Sequence, residues 1–299
     1  MASLKEIKGR IASIKNTQKI TSAMRMVSSA KLHHTQGMTE KFLYYKDQLQ
    51  AIVERLGGFQ LTSPQQENVH SVVLIPISSN SGLCGAFNSN INKATFQRIQ
   101  ELKSQGKEVL LLPIGKKIAH ELQKAGIDCN LGYFNLILHI EKGGNFAEIA
   151  FLVEYLLQLH QNGTIDSVEF LYHHFKSMGS QVIQIDSLQL TVDKSVQHAD
   201  EQSDSQPSTH NPQPSTYLTE PSPDELLASL FPRLLNAQAY GILLDSLTSE
   251  HAARMLAMQT ADDNANDLLK ELTLLYNKTR QQAITNELID IMGGQSGKH

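Results

Sequence analysis

The strongest constraint on this chain is a pair of long segments, one at each end, with helical periodicity and almost nothing to stop a helix. From residue 1 to Gly57-Gly58 there is no proline, and the only earlier glycines are Gly9 and Gly37. Leu4, Ile7, Ile11 and Ile14 recur at three- and four-residue spacing, which lays them along one helix face. The stripe breaks at residues 16–19 and resumes as Ile20, Met24, Val27 and Ala30 in a shifted phase, followed by Phe42 and Leu49. After Pro232 there is no proline, and the only glycine before Gly293 is Gly241. That predicts ~60 residues of helix, about 90 Å long. Within it Met258, Ala261, Ala265, Leu268, Leu272 and Leu275 repeat as the seam of a coiled coil. The seam breaks at residues 277–282 and resumes with Ile284, Leu288 and Ile291. Two such helices running antiparallel each supply the other's missing face. A rod of this length needs a partner to cover it, because a long apolar stripe is not left in water. Its work is expected to be mechanical rather than chemical.

The middle of the chain changes character. Apolar runs of strand length lie at residues 69–77, 109–114, 168–175 and 182–190, with helical patterns at 87–105, 116–124 and 146–161 between them. Strands alternating with helices predict a mostly parallel sheet covered by helices, a Rossmann-like α/β domain. The last two runs, separated only by residues 176–180, read as an antiparallel hairpin. Residues 196–216 are polar, proline-rich and almost free of aliphatics, so they read as a disordered loop. The expected organisation is an N-terminal coiled-coil helix (1–58), an α/β domain (69–190), an acidic polar loop (191–222) and a C-terminal coiled-coil helix (223–299).

Charge and cysteine content exclude several classes of function. The formal charge is -4, so no global basic field points to nucleic acid. The signs are segregated, however. Residues 1–47 carry nine Lys/Arg against three acids, and residues 193–225 carry seven acids against Lys194. A basic helix of this kind either meets an acidic partner or presents a solvated face. The two cysteines, Cys84 and Cys129, form no Cys-x-x-Cys pair, which fits a reducing compartment. No apolar run reaches the ~20 residues of a membrane span. The opening residues read as neither signal nor transit peptide, so membrane association is expected only through a partner.

The most enzyme-like feature is the stretch SNSGLCGAF at residues 79–87, a glycine-containing turn between a strand and a helix. Phosphates bind at such junctions, where free backbone N–H groups and the helix dipole converge. The spacing matches neither the dinucleotide nor the P-loop glycine pattern, and a tight turn packing the first helix is the simpler reading. Cys84 at a helix N-terminus could be a nucleophile or a small buried thiol. His33-His34 and His173-His174 are adjacent pairs whose side chains diverge, and Asp262-Asp263 suits a solvated surface. Nothing assembles an acid, a base and a nucleophile, and neither a cofactor nor a bound nucleotide is expected.

Four stretches together resemble the gamma subunit of the F-type ATP synthase. They are IKGRIASIKNTQKITSAMRMVSSAK (7–31), SGLCGAFN (81–88), SEHAARMLAMQTADDN (249–264) and LTLLYNKTRQQAITNEL (272–288). The resemblance covers nearly the whole chain in order. It implies an antiparallel coil of the two termini lying in a sleeve of alternating α and β subunits. The α/β domain would sit at the membrane-proximal end with the ε subunit and the ring of c subunits. The chain would be a non-catalytic shaft, peripheral to the cytoplasmic face of a bacterial plasma membrane, turned by proton flow. By position in the motifs, the resemblance places Arg280 and Gln281 against catch loops of β, with Thr285 and Glu287 nearby. The same comparison places Lys19, Met24 and Arg254 where the shaft passes an acidic segment of β. The stretch 217–220, ending at Glu220, resembles a short strand near ε and the ring. The chain departs from the family pattern in its polar tail after Met292. It also carries no cysteine in residues 196–216, about where plastid members have a redox-regulatory insertion. Two other readings remain open: an α/β enzyme with helical arms, and a coiled-coil scaffold unrelated to rotation.

Overall fold

The computed structural model describes residues 3–57, 69–127, 129, 146–188, 190, 220 and 222–295. The chain divides into two compact units, one of residues 1–30 with 254–299 and one of residues 31–253. The expected loop at 196–216, residues 217–219 and the last four residues of the tail lie outside the described residues.

Helix α1 (Leu4–Gly57) starts where a short side chain can cap it. Ser3 Oγ accepts from the Glu6 N–H at 3.2 Å, the first half of a Ser-x-x-Glu capping box. The last helix, α5 (Pro223–Gln295), extends beyond the proline-free stretch and runs straight through Pro232. Its start has a local cause: Ser222 Oγ accepts from the Glu225 N–H, and Pro223 takes the first helical position, where no N–H is needed. An interior proline costs about 3 kcal/mol. Burial on both sides offsets it, because Leu227, Leu234 and Ala237 pack with Leu49 and Val53 of α1.

The larger unit holds a mixed four-stranded sheet in the order β2-β1-β3-β4. Strand β1 (Ser71–Pro76) is buried along its whole length, as a central parallel strand must be. It pairs in parallel with β2 (Glu108–Leu111) and with β3 (Ser167–Ser177). Strands β3 and β4 (Ser180–Leu188) form the expected antiparallel hairpin. Helices α2 (Phe87–Ser104) and α3 (Lys116–Lys124) cover one sheet face, with Ile91, Ile99, Ile118 and Leu122 against Leu74, Leu111 and Leu171. Helix α4 (Phe146–Gln161) and α5 cover the other, with Ile149, Leu152, Leu235 and Leu243 against Val73, Ile75 and Phe170. One charged pair is built into this core. Glu169 of β3, 8% exposed, accepts both Nε and Nη2 of Arg98 at 2.8 Å, a bidentate contact that raises the guanidinium above its ordinary value.

The terminal helices pair antiparallel in each unit. In the larger unit Phe42 meets Tyr240 edge-on at 4.8 Å, and the Thr39 and Thr248 hydroxyls approach to 3.5 Å. In the smaller unit Gln18 meets Asn266 and Arg25 meets Asp262. The seam positions differ from the expected ones. On α1 the inward stripe does not change phase after residue 14. Leu4, Ile7, Ile11 and Ile14 continue as Gln18, Thr21, Arg25 and Ser28, all buried or half-buried, whereas Ile20 and Val27 are exposed. On α5 the inward positions are Met258, Asp262, Ala265, Leu269, Leu272, Tyr276 and Thr279, while Leu268 and Leu275 are exposed. The cause is geometric. A heptad seam is fixed by what the facing helix offers, and α1 keeps its three-four spacing through polar residues instead of following its apolar ones.

Candidate functional site

The glycine turn after β1 is held by its own side chains. Ser79 Oγ donates to the Ser81 carbonyl at 2.6 Å, and the Asn88 amide donates to Cys84 Sγ at 3.1 Å and to Ser79 Oγ at 2.8 Å. Leu83 and Gly85 both take positive φ, 64° and 60°, which turns the chain tightly into α2. Phe87 then stacks on His173 of β3 with ring centroids 4.1 Å apart, and Cys84, Phe87 and Ala253 of α5 form one buried cluster. Ser249 of α5 donates its hydroxyl to the His173 carbonyl at 2.9 Å. The crevice beyond the carboxyl ends of β1 and β3, where a Rossmann sheet would hold a phosphate, is therefore packed with aromatic and helix side chains. This geometry supports the packing turn, and Cys84 is a buried thiol at 2% exposure.

The two adjacent histidines diverge into different surroundings. His174 Nδ1 pairs with Asp245 Oδ2 of α5, while His173 lies 2% exposed with neither ring nitrogen hydrogen-bonded. Burial alone pushes the His173 imidazole down to about 4. Among the described residues no three His, Cys, Asp or Glu side chains are grouped to hold a metal.

The paired helices of the smaller unit carry most of the residues singled out by family resemblance, at two levels. Lys19 (exposed) and Met24 (half-buried) lie on α1 around the Gln18–Asn266 and Arg25–Asp262 contacts, and Arg254 of α5 is 8% exposed. Arg280, Gln281, Thr285 and Glu287 are all exposed and lie further along α5. Arg280 is fourteen residues past Asn266, or about 21 Å along the axis. Thr285 spends its hydroxyl on the Gln281 carbonyl at 2.9 Å. Glu220 is exposed and belongs to the larger unit.

Sequence reasoning missed the outward-facing residues of the smaller unit. Ile20, Met26 and Val27 are 61%, 63% and 57% exposed, and on α5 Leu274, Leu288, Ile291 and Met292 are more than half exposed. The signal was available in the unbroken heptad from Leu4 to Ser28, which is visible only if polar residues are allowed to occupy seam positions.

Comparison with known proteins agrees with this architecture. A family model described as ATP synthase matches residues 3–297. The ATP synthase gamma chain of Parabacteroides distasonis is 50% identical over 298 residues, covering 98% of both chains. That of Bacteroides fragilis is 44% identical over 299 residues, covering 98% of this chain and 99% of the relative. A chain of the Euglena gracilis mitochondrial ATP synthase superposes with a TM-score of 0.67 at 20% identity, over 99% of this chain and 94% of that one. A chain from the Tetrahymena thermophila mitochondrial ATP synthase central stalk and c-ring gives 0.56 at 24% identity, over 81% and 99%. With the fold matched and half of all positions shared with a full-length relative, this chain belongs to the ATP synthase gamma chain family.

Proposed function

We propose that this chain is the central rotor shaft of an F-type ATP synthase. It couples proton flow through a membrane ring of c subunits to ATP synthesis or hydrolysis in a sleeve of α and β subunits. The chain itself performs no chemistry and binds no nucleotide. The observation that carries this reading is the outward apolar surface of the paired helices in the smaller unit, with Ile20, Met26 and Val27 on α1 and Leu274, Leu288 and Ile291 on α5. Side chains this size are exposed along helices when another protein covers them. No helix among the described residues is long and apolar enough to cross a membrane, so attachment to the membrane's cytoplasmic face runs through the c-ring and ε.

Coupling follows from differential contact. A shaft whose sides differ offers each β subunit a different surface as it turns, and nucleotide affinity shifts by the difference in contact energy between states. In this scheme Arg280 and Gln281, with Thr285 and Glu287 beside them, meet the catch loops of β. Lys19, Met24 and Arg254 pass its acidic segment, and Glu220 faces ε and the ring. Exposure of Lys19, Arg280, Gln281 and Glu287 supports roles toward a partner.

The deciding experiment is co-purification of the tagged chain from its own cells. One copy per complex should recover with α and β subunits, and ATP hydrolysis coupled to proton pumping should depend on it. Arg280→Ala with Gln281→Ala should lower that coupled turnover by roughly tenfold, the scale of one lost charged contact of about 1.4 kcal/mol, while the chain melts normally. Unchanged turnover removes the catch assignment, and micromolar ATP binding to the isolated chain would overturn the shaft reading altogether.

A further inference from the structure

Between residues 16 and 30, α1 has its polarity inside out. Its inward positions are Gln18, Thr21, Arg25 and Ser28, while Ile20, Met26 and Val27 face away and Met24 is half-buried. The facing stretch of α5 contributes Met258, Asp262 and Ala265, with Asn266 beside them. A seam of this composition gives up apolar burial and gains directionality, because polar partners form only at one alignment.

Two contacts supply that directionality. Gln18 Nε2 donates to Asn266 Oδ1 at 2.6 Å, and Arg25 Nη1 stands 3.7 Å from Asp262 Oδ2. The Asp262 side chain is 12% exposed and its other oxygen, Oδ1, has no hydrogen-bond partner. The guanidinium is thus the group that compensates this carboxylate, and a buried charge that loses its partner is strongly destabilising.

Sliding the helices by one heptad destroys both contacts in either direction. One slide sets Arg25 against Leu269 and Asp262 against Leu32, and the other sets Arg25 against Met255 and Asp262 against Gln18. The apolar seam residues penalise such a slide far less. Leu4, Ile7, Ile11 and Ile14 recur in heptads on α1, and Leu269, Leu272 and Tyr276 do so on α5, so one aliphatic contact is exchanged for another. We propose that Arg25 and Asp262, assisted by Gln18 and Asn266, form a register lock that fixes the axial alignment of the two terminal helices within the smaller unit.

The test measures alignment directly in the full-length chain. Cys84→Ala and Cys129→Ala remove the native thiols, and Ser13→Cys with Thr273→Cys place spin labels at exposed positions on the two helices. Electron–electron distance measurement should give one narrow distance with the lock intact. Arg25→Glu or Asp262→Arg alone should add a second population displaced by about 10 Å, one heptad of helix rise, and combining them should restore the single distance. Because the charge reversals could unfold the coil, the pair Arg25→Leu with Asp262→Leu is decisive. It should melt no lower than wild type, because the carboxylate buried at Asp262 is removed along with its partner, yet show both distances. A single distance in the leucine pair, or two populations in the charge swap, would overturn the lock.

Discussion

His173 shows how one buried side chain sets a pH limit on the larger unit. Its ring stacks on Phe87 with no hydrogen bond to either nitrogen, so the neutral form is the one that fits, and its pKa falls from the usual 6.5 to about 4. A base with a depressed folded pKa binds its proton more readily in the unfolded chain. Stability is therefore full above about pH 6.5 and is lost as pH falls toward 4, by about 3 kcal/mol at most. Asp166 also favours folding in its charged form, held below its usual value chiefly by the Ser71 N–H, but its loss comes at lower pH, below 3.8. Thermal melts of the full chain between pH 7 and 4.5 should therefore decline, and His173→Phe, which keeps the stack without a titrating group, should flatten that decline. An unchanged slope would mean that other groups cause it. Gly115 is a backbone counterpart. It holds φ 103°, and a Cβ there would lie 2.2 Å from the Ser78 carbonyl oxygen, whereas nothing lies within 4 Å of a Cβ on Gly37. Gly115→Ala should cost upward of about 3 kcal/mol in a denaturant melt, and Gly37→Ala should gain up to about 1 kcal/mol by helix propensity.

At the scale of elements, the sequence was legible wherever one local rule decided the outcome. Strand β1 is a continuous apolar run because both sheet faces are covered, and the short span between residues 175 and 182 could only close as a hairpin. The length of helix counted from the proline-free stretch after Pro232 left out the first turns of α5. The better signal was the cap at Ser222-Pro223 with Asp224 and Glu225 behind it, and the buried contacts of Leu227 and Leu234 that carry the helix through its proline come from α1, far away in sequence. The seam was misread for a related reason. Hydrophobicity marked Ile20, Val27, Leu268 and Leu275 as inward, yet all four are exposed, and Gln18, Arg25 and Asp262 take inward positions. Ile7 and Ile20 expose the difference by truncation. Ile7→Ala, at 2% exposure, should cost about 2–4 kcal/mol in the isolated chain. Ile20→Ala, at 61% exposure, should stay within about 0.5 kcal/mol of wild type. Equal effects would restore the seam that hydrophobicity suggested.

At the scale of the whole molecule, the two units divide the physics. The larger unit buries its apolar residues in its own sheet and helices, whereas the smaller one spends polar residues on its interior and leaves large aliphatics outside. An isolated helix pair gains no apolar burial from that second arrangement. A pair enclosed by other subunits gains contact area on every outward aliphatic, about 25 cal/mol for each Å² covered. The inversion therefore carries information about the assembled state that neither fold class nor a search for catalytic residues contains. It also allows assembly to be separated from folding in one variant. Ile20→Asp with Val27→Asp places two carboxylates at positions 61% and 57% exposed in the free chain, where they should shift its melting temperature by no more than a degree or two. Inside an apolar sleeve the same carboxylates would be desolvated without partners, at several kcal/mol each. Recovery of α and β subunits with the tagged chain should then fall by tenfold or more, since each tenfold corresponds to only about 1.4 kcal/mol. Normal recovery with normal melting would show that this face of α1 meets solvent in the complex. The outward aliphatics of α5, tested by Leu288→Asp in the same assay, would then have to supply the grip.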